Sequence, residues 1–476
     1  MRRLVLSLFG GILFVSSLLA VLIHPISFAA NQESTQPDKK SIQPDKAPTD
    51  SEGRAQAQVR GKIAFVRQGQ LWLRDENGER RVLQLGILSS PKWSPDGHFV
   101  AVTGKSKGPH GKQDFVYLQV VNAATGHTQM VTRYLFPDTI TFKWGPKGHQ
   151  LAFAHKGVLS SVNVAPRSSV HRVAAGIQSF AWAPNGLGFI ISAPAHVLPD
   201  GWTRAKVYQV SVGEKPSKSA ANHDPTLLFT LPKTVPGTDR SMLITGLTSM
   251  KWSYDGKWVA FIAHPTAAWS KDENRLCVLS KDGKKFIVVG TMLQKSEWFR
   301  WSPGADTLAY IRGNHHDISH GKKLNIAAAP LFKSRNLAPI GAVDNGLTWI
   351  DPKHIIVSRR QESLPSKSPV QLESSMFPSL YNIDVERPTV QNRITAPSQG
   401  VGDYSPVAQG WQKVVWVRSP NESSKGEIFV GKADGTAAQL WLEDVNAGMW
   451  AVAPKEKKRT RRTPDILPKI STSLDK

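Results

Sequence analysis

Three imidazoles and a carboxylate fall within the six residues His315-His316-Asp317-Ile318-Ser319-His320. That donor set suits zinc or another transition ion, which makes His315, His316 and His320 candidate metal ligands. The competing reading is an exposed polar loop with no ion, because adjacent histidines splay apart on an extended backbone; His110, between Lys105 and Lys112, is a weaker candidate of the same kind. Trp202, in Asp200-Gly201-Trp202, and Trp269, in Ala267-Ala268-Trp269-Ser270, lie in loops between apolar segments. Loop aromatics often form contact surfaces for peptide or sugar. With the polar insertion from Gln361 to Phe377 they make a candidate recognition surface, unless they fold back to cap the core.

Catalytic patterns are missing. The chain has no His-Glu-x-x-His, no P-loop and no Gly-x-Gly-x-x-Gly. Asp75-Glu76-Asn77-Gly78 and Lys281-Asp282-Gly283 fit hairpin turns better than calcium ladders. The expectation is no catalytic residue and no cofactor.

The elements that must position these residues repeat along the chain. Lys92-Trp93-Ser94-Pro95-Asp96-Gly97 runs into Phe99-Val100-Ala101-Val102, and Lys251-Trp252-Ser253-Tyr254-Asp255-Gly256 into Trp258-Val259-Ala260-Phe261. Weaker copies centre on Trp144, Trp182, Trp301 and Trp349, and Trp450 stands in a lone strand near the end. Each copy is a strand, a tight Pro/Asp/Gly turn and a second strand. One such hairpin cannot bury its apolar face alone, so the copies must stack, with the tryptophans as packing landmarks. Radial stacking gives an all-β chain, a β-propeller.

The opening segments Lys62–Val66, Gln70–Leu73 and Arg81–Leu85 have no Trp-turn strand before them, whereas Gly448–Val452 is a first strand with nothing after it. Together they complete one four-stranded blade and close the ring, removing the unpaired edges of an open sheet. Seven full units plus this composite give eight blades; seven is the second choice. A β-sandwich leaves the recurring Trp-turn unit unexplained.

The W-S-P-D-G hairpin followed by Val-Ala-Val or Val-Ala-Phe resembles the repeat of TolB-type, WD40-like propellers and of the propeller domain in prolyl oligopeptidase and dipeptidyl-peptidase relatives. The clearest matches are Trp93–Gly97, Trp252–Gly256 and Trp301–Gly304, and the resemblance covers about Gly61 to Pro454. It implies a fold more than a task, since that superfamily includes scaffolds, protease gates and sugar lyases.

Arg2-Arg3, an uncharged run from Leu4 to Ile23 and Ser27-Phe28-Ala29-Ala30 have the order of an export signal, and the run is also long enough to span a bilayer. Residues 1–30 are therefore expected to be a cleaved signal or an N-terminal anchor, 31–60 a polar stalk, 61–454 the propeller and 455–476 a basic tail. The formal net charge of +23 would draw an exported protein to anionic wall polymers or a membrane surface. Nucleic acid is disfavoured by export and by the absence of its recognition motifs. Cys277 is the single cysteine, so no intramolecular disulfide forms. The leading expectation is an exported, non-enzymatic propeller at the cell surface that binds a protein, peptide or anionic envelope component as adaptor, sensor or scaffold. The alternatives are a hydrolase or lyase with its site in the channel, and a structural component of an envelope or spore layer.

Overall fold

The computed structural model describes residues 61–84, 86–108, 111, 113–165, 168–212, 224–236, 241–266, 273–362 and 377–454. The expected export segment, stalk and basic tail, together with Trp269, His110 and nearly all of the Gln361–Phe377 insertion, lie outside the described residues. Among the described residues no helix is long and apolar enough to cross a membrane.

The strands form eight blades of an all-β propeller, and two short accessory hairpins accompany them. Blade 1 is the composite: Trp450–Val452 is its first strand and Ile63–Arg67, Gln70–Asp75 and Gly78–Leu83 follow outward. Val452 pairs with Ile63, Ala451 with Ala64 and Trp450 with Phe65, closing the ring as the sequence led us to expect. Blades 2 to 8 open with first strands ending at Trp93, Trp144, Trp182, Trp252, Trp301, Trp349 and Ala408.

The Trp-turn unit is held by its own side chains. Ser94 Oγ donates to Asp96 Oδ1 (2.5 Å), which also accepts the His98 N–H (3.1 Å), and the Phe99 N–H returns to Ser94 Oγ (3.0 Å). Gly97 takes a φ of +71°, where a side chain would be strained. Ser253, Asp255 and Lys257 repeat the arrangement in blade 5. Ser280-Lys281-Asp282-Gly283 builds it again between the third and fourth strands of that blade, so this acidic stretch is a hairpin turn.

Second strands carry continuous apolar runs because both of their faces are buried. Ile63 and Phe65 pack with Tyr404, Val415 and Trp441 of blade 8, whereas Ala64 and Val66 pack with Trp93, Val100 and Val102 of blade 2. Alternate side chains of one strand thus serve two inter-blade cores.

A backward hydrogen bond ties most first strands to their predecessors. The indole N–H of Trp93 donates to Ala451 O (2.8 Å), Trp144 to Lys92 O (2.8 Å) and Trp182 to Lys143 O (3.1 Å). Trp301 donates to Lys251 O and Trp349 to Arg300 O, both at 3.0 Å. Two positions depart from this pattern. Trp450 lies two residues before the landmark place, which Val452 occupies: Val452 pairs with Ile63 as Trp93 pairs with Val100. The two-residue offset keeps Trp450 on the same strand face, where it packs in the core shared with blade 8. Trp252 Nε1 is buried without an acceptor, in a first strand whose register shifts between Thr248 and Lys251. The junction with blade 4 uses Gln178, whose Oε1 accepts the Leu247 N–H at 2.9 Å.

Two stability predictions follow from these contacts. Ala451→Pro removes a ladder hydrogen bond at the closing blade and should lower stability by about 3 kcal/mol or more, read from urea unfolding. Trp301→Ala should cost about 3–5 kcal/mol, and Trp301→Phe, which keeps most of the ring but not the donor, distinctly less.

Candidate functional site: a cationic wall in the channel

Neighbouring first strands touch one another around the ring, which places them at the axis of the propeller. The residue before each landmark Trp points to the opposite strand face, toward the next blade. In blades 2, 3, 5 and 6 it is Lys92, Lys143, Lys251 and Arg300; in blades 4 and 7 it is Ala181 and Thr348. Each cation reaches forward. Lys92 Nζ donates to Phe142 O (3.0 Å), Lys143 Nζ to Phe180 O (2.7 Å), Lys251 Nζ to Phe299 O (2.8 Å) and to Ser296 O, and Arg300 Nε to Leu347 O (3.0 Å). The ammonium groups also sit 4.5, 5.4 and 4.0 Å from the ring centres of Phe142, Phe180 and Phe299. None of the four makes an ion pair among the described residues.

Lys251 and Arg300 line a cavity of about 350 Å³ whose other walls are Trp252, Trp301, Trp349, Pro303 and Thr348. Pro303 belongs to the turn after the first strand of blade 6, so the cavity reaches that turn. Three indole rings and two cations suit an anionic group attached to a flat apolar one.

These cations are held away from their ordinary titration range. Enclosure by the channel wall, then repulsion from Lys92, pushes Lys143 down to about 8, although its side chain still meets some solvent. Loss of hydration, then repulsion from Arg300 and Lys143, holds Lys251 well below its ordinary range, while Glu297 acts the other way on it. Burial lowers Arg300, again against Glu297. The positive wall therefore stores electrostatic cost that an incoming anion would relieve.

The structure spreads the residues singled out by sequence. Trp202 is half-buried in an accessory hairpin, Val197–Leu198 with Gly201–Trp202, in which Val197 and Leu198 are exposed. The loop from His315 to His320 wraps around Lys322, which is buried and donates from Nζ to the carbonyls of Asn314 (2.8 Å), Asp317 (2.6 Å) and His320 (3.0 Å). An ammonium thus takes the centre of the loop, and Asp317 pairs with His320 at 3.1 Å. His315, His316 and His320 do not converge as a three-ligand group among the described residues. Cys277 is buried, and burial raises its thiol far above the usual range. The cationic wall was missed, although Lys-Trp or Arg-Trp in four of the repeats was its signal.

No family model matches this chain, and no curated protein does. Solved structures do. The chain is similar to Porphyromonas gingivalis dipeptidyl peptidase 4 at 9% identity, over 81% of this chain and 59% of that one, with a TM-score of 0.50. It is similar to a Mycobacterium tuberculosis puromycin-hydrolyzing peptidase at 13% identity, over 77% and 54%, with a TM-score of 0.45. It is similar to TolB from Acinetobacter baumannii at 17% identity, over 83% and 67%, with a TM-score of 0.33. The likeness is one of fold. The chain matches little more than half the length of the two peptidases.

A pH prediction follows from Lys143. Its folded value near 8 lies below the unfolded value near 10.4, so the folded chain binds fewer protons between them. Stability should therefore rise from about pH 8 to about pH 10, by at most about 3 kcal/mol before screening by channel water. Lys143→Met should flatten that rise in urea midpoints measured against pH.

Proposed function

We propose that this protein is a non-enzymatic binding propeller that takes an acidic segment of a partner protein or peptide at the cationic wall of its channel. The observation that carries the reading is the cavity between blades 5, 6 and 7, where Lys251 and Arg300 stand among three tryptophans without a carboxylate paired to either among the described residues. The architecture supports it, since β-propeller domains often serve partner and substrate binding without catalysis in peptidase and scaffold proteins. The formal net charge of +23 adds long-range attraction for such a partner. The setting we propose is outside the cytoplasm, a reading that rests on the Arg2–Ala30 segment order.

Binding of a glutamate-rich peptide and of its glutamine counterpart, followed by tryptophan fluorescence and calorimetry, tests this. The glutamate peptide should bind, weaken as salt is raised, and lose at least about tenfold in affinity in Lys251→Met/Arg300→Met. Equal affinity for both peptides, or an unchanged double variant, would sink the proposal.

A further inference from the structure

At the rim between blades 2 and 3, three metal-ligating side chains meet at one point. The Ser94–His98 turn fixes the Asp96 carboxylate: Oδ1 accepts from Ser94 Oγ at 2.5 Å and from the His98 N–H at 3.1 Å, and Oδ2 is left facing outward. Oδ2 lies 2.5 Å from His149 Nε2 and 3.2 Å from His98 Nδ1. All three ligand atoms are within 4.8 Å of one another.

Both histidines are anchored through their backbones. His98 O accepts the Ala123 N–H and His149 O the Val164 N–H, each at 2.8 Å. The His149 ring also rests edge-on against Phe99, with centroids 4.7 Å apart. The side chains keep contact with solvent, at 67% for His98, 35% for His149 and 31% for Asp96, so an ion could enter and retain open coordination positions.

We propose that Asp96, His98 and His149 form a binding site for a divalent first-row transition ion, zinc foremost, which clamps blade 2 to blade 3. Two imidazole nitrogens with one carboxylate oxygen suit zinc better than calcium or magnesium, which prefer all-oxygen sets. Tetrahedral zinc with bonds of about 2.0–2.1 Å separates its ligand atoms by roughly 3.4 Å. The His98 distance already matches, and His149 needs to withdraw by about an ångström, which rotation of its ring supplies. Ser94 and the His98 N–H form the outer shell that orients the carboxylate. The site is distinct from the cationic wall and does not depend on the function proposed above.

Untagged full-length protein, stripped of metal, would be titrated with zinc by calorimetry and with cobalt(II) by visible absorption. One equivalent should bind, with a cobalt ligand-field band. His98→Gln should weaken zinc at least about tenfold while leaving the thermal midpoint of the metal-free protein unchanged, because His98 is mostly exposed. His149→Gln should weaken zinc likewise, and the His315→Ala/His316→Ala/His320→Ala variant should retain full affinity. No stoichiometric binding, full affinity in His98→Gln, or loss confined to the triple variant would overturn the proposal and leave Asp96–His149 as a hydrogen bond between blades.

Discussion

The ring depends on a two-way grip between neighbouring first strands. A landmark Trp donates its indole N–H to the preceding blade, and the Lys or Arg beside it donates to the following one. Adjacent residues on a strand face opposite ways, so two consecutive side chains hold both neighbours. Each neutral bond contributes about 0.5–1.5 kcal/mol, and a charged donor somewhat more. Blades 2, 3 and 6 carry both halves of the grip, and blades 4, 5 and 7 carry one half each.

The grip also explains why cations are tolerated in the channel wall. An ammonium that leaves bulk water there receives a carbonyl and, for three of the four, a phenylalanine ring face in exchange. The exchange is incomplete, as the lowered proton affinities of Lys143 and Lys251 show. What remains is mutual repulsion along one side of the channel, since Ala181, Thr348, Val407 and Ala451 hold the corresponding places in the other blades. Blades 7 and 8 keep their charges as closed pairs instead. Asp344 receives Arg359 at 2.6 and 3.0 Å, and Asp403 receives Arg418 at 2.8 and 3.0 Å together with the Trp416 N–H. Paired charge rigidifies one part of the ring and unpaired charge lines another.

The architecture was legible because it is written locally. Ser, Asp and Gly at fixed offsets from Trp close a turn with their own atoms, and the orphan first strand at Val452 matches the orphan trio beginning at Ile63. The candidate sites were not legible in the same way. Lys251 and Arg300 are 49 positions apart and line one cavity because their first strands are neighbours in the ring, which the repeat implies but no single motif displays. The histidine loop is crowded in sequence, but its partner is not visible there: Lys322 draws the loop's carbonyls inward. Trp450 was legible as a closing element but not in register, because side-chain period on a strand tolerates a shift of two without changing face.

The Ser-x-Asp-Gly turn has a further property that links fold to chemistry at the rim. One carboxylate oxygen closes the turn, and the other is left to meet whatever the next blade presents five residues after its Trp. Asp96 meets His149 there. Asp255 faces Asp306, and burial together with the neighbouring Asp255 carboxylate raises Asp306 above the usual carboxylate range. The turn closes in the same way in both cases, but the residue after its Gly differs as well as the facing one: His98 lies beside Asp96, and Lys257 pairs with Asp255 at 2.8 Å. A scaffold that keeps its turn and varies the side chains around it places an imidazole beside the carboxylate at one junction and a second acidic side chain at another.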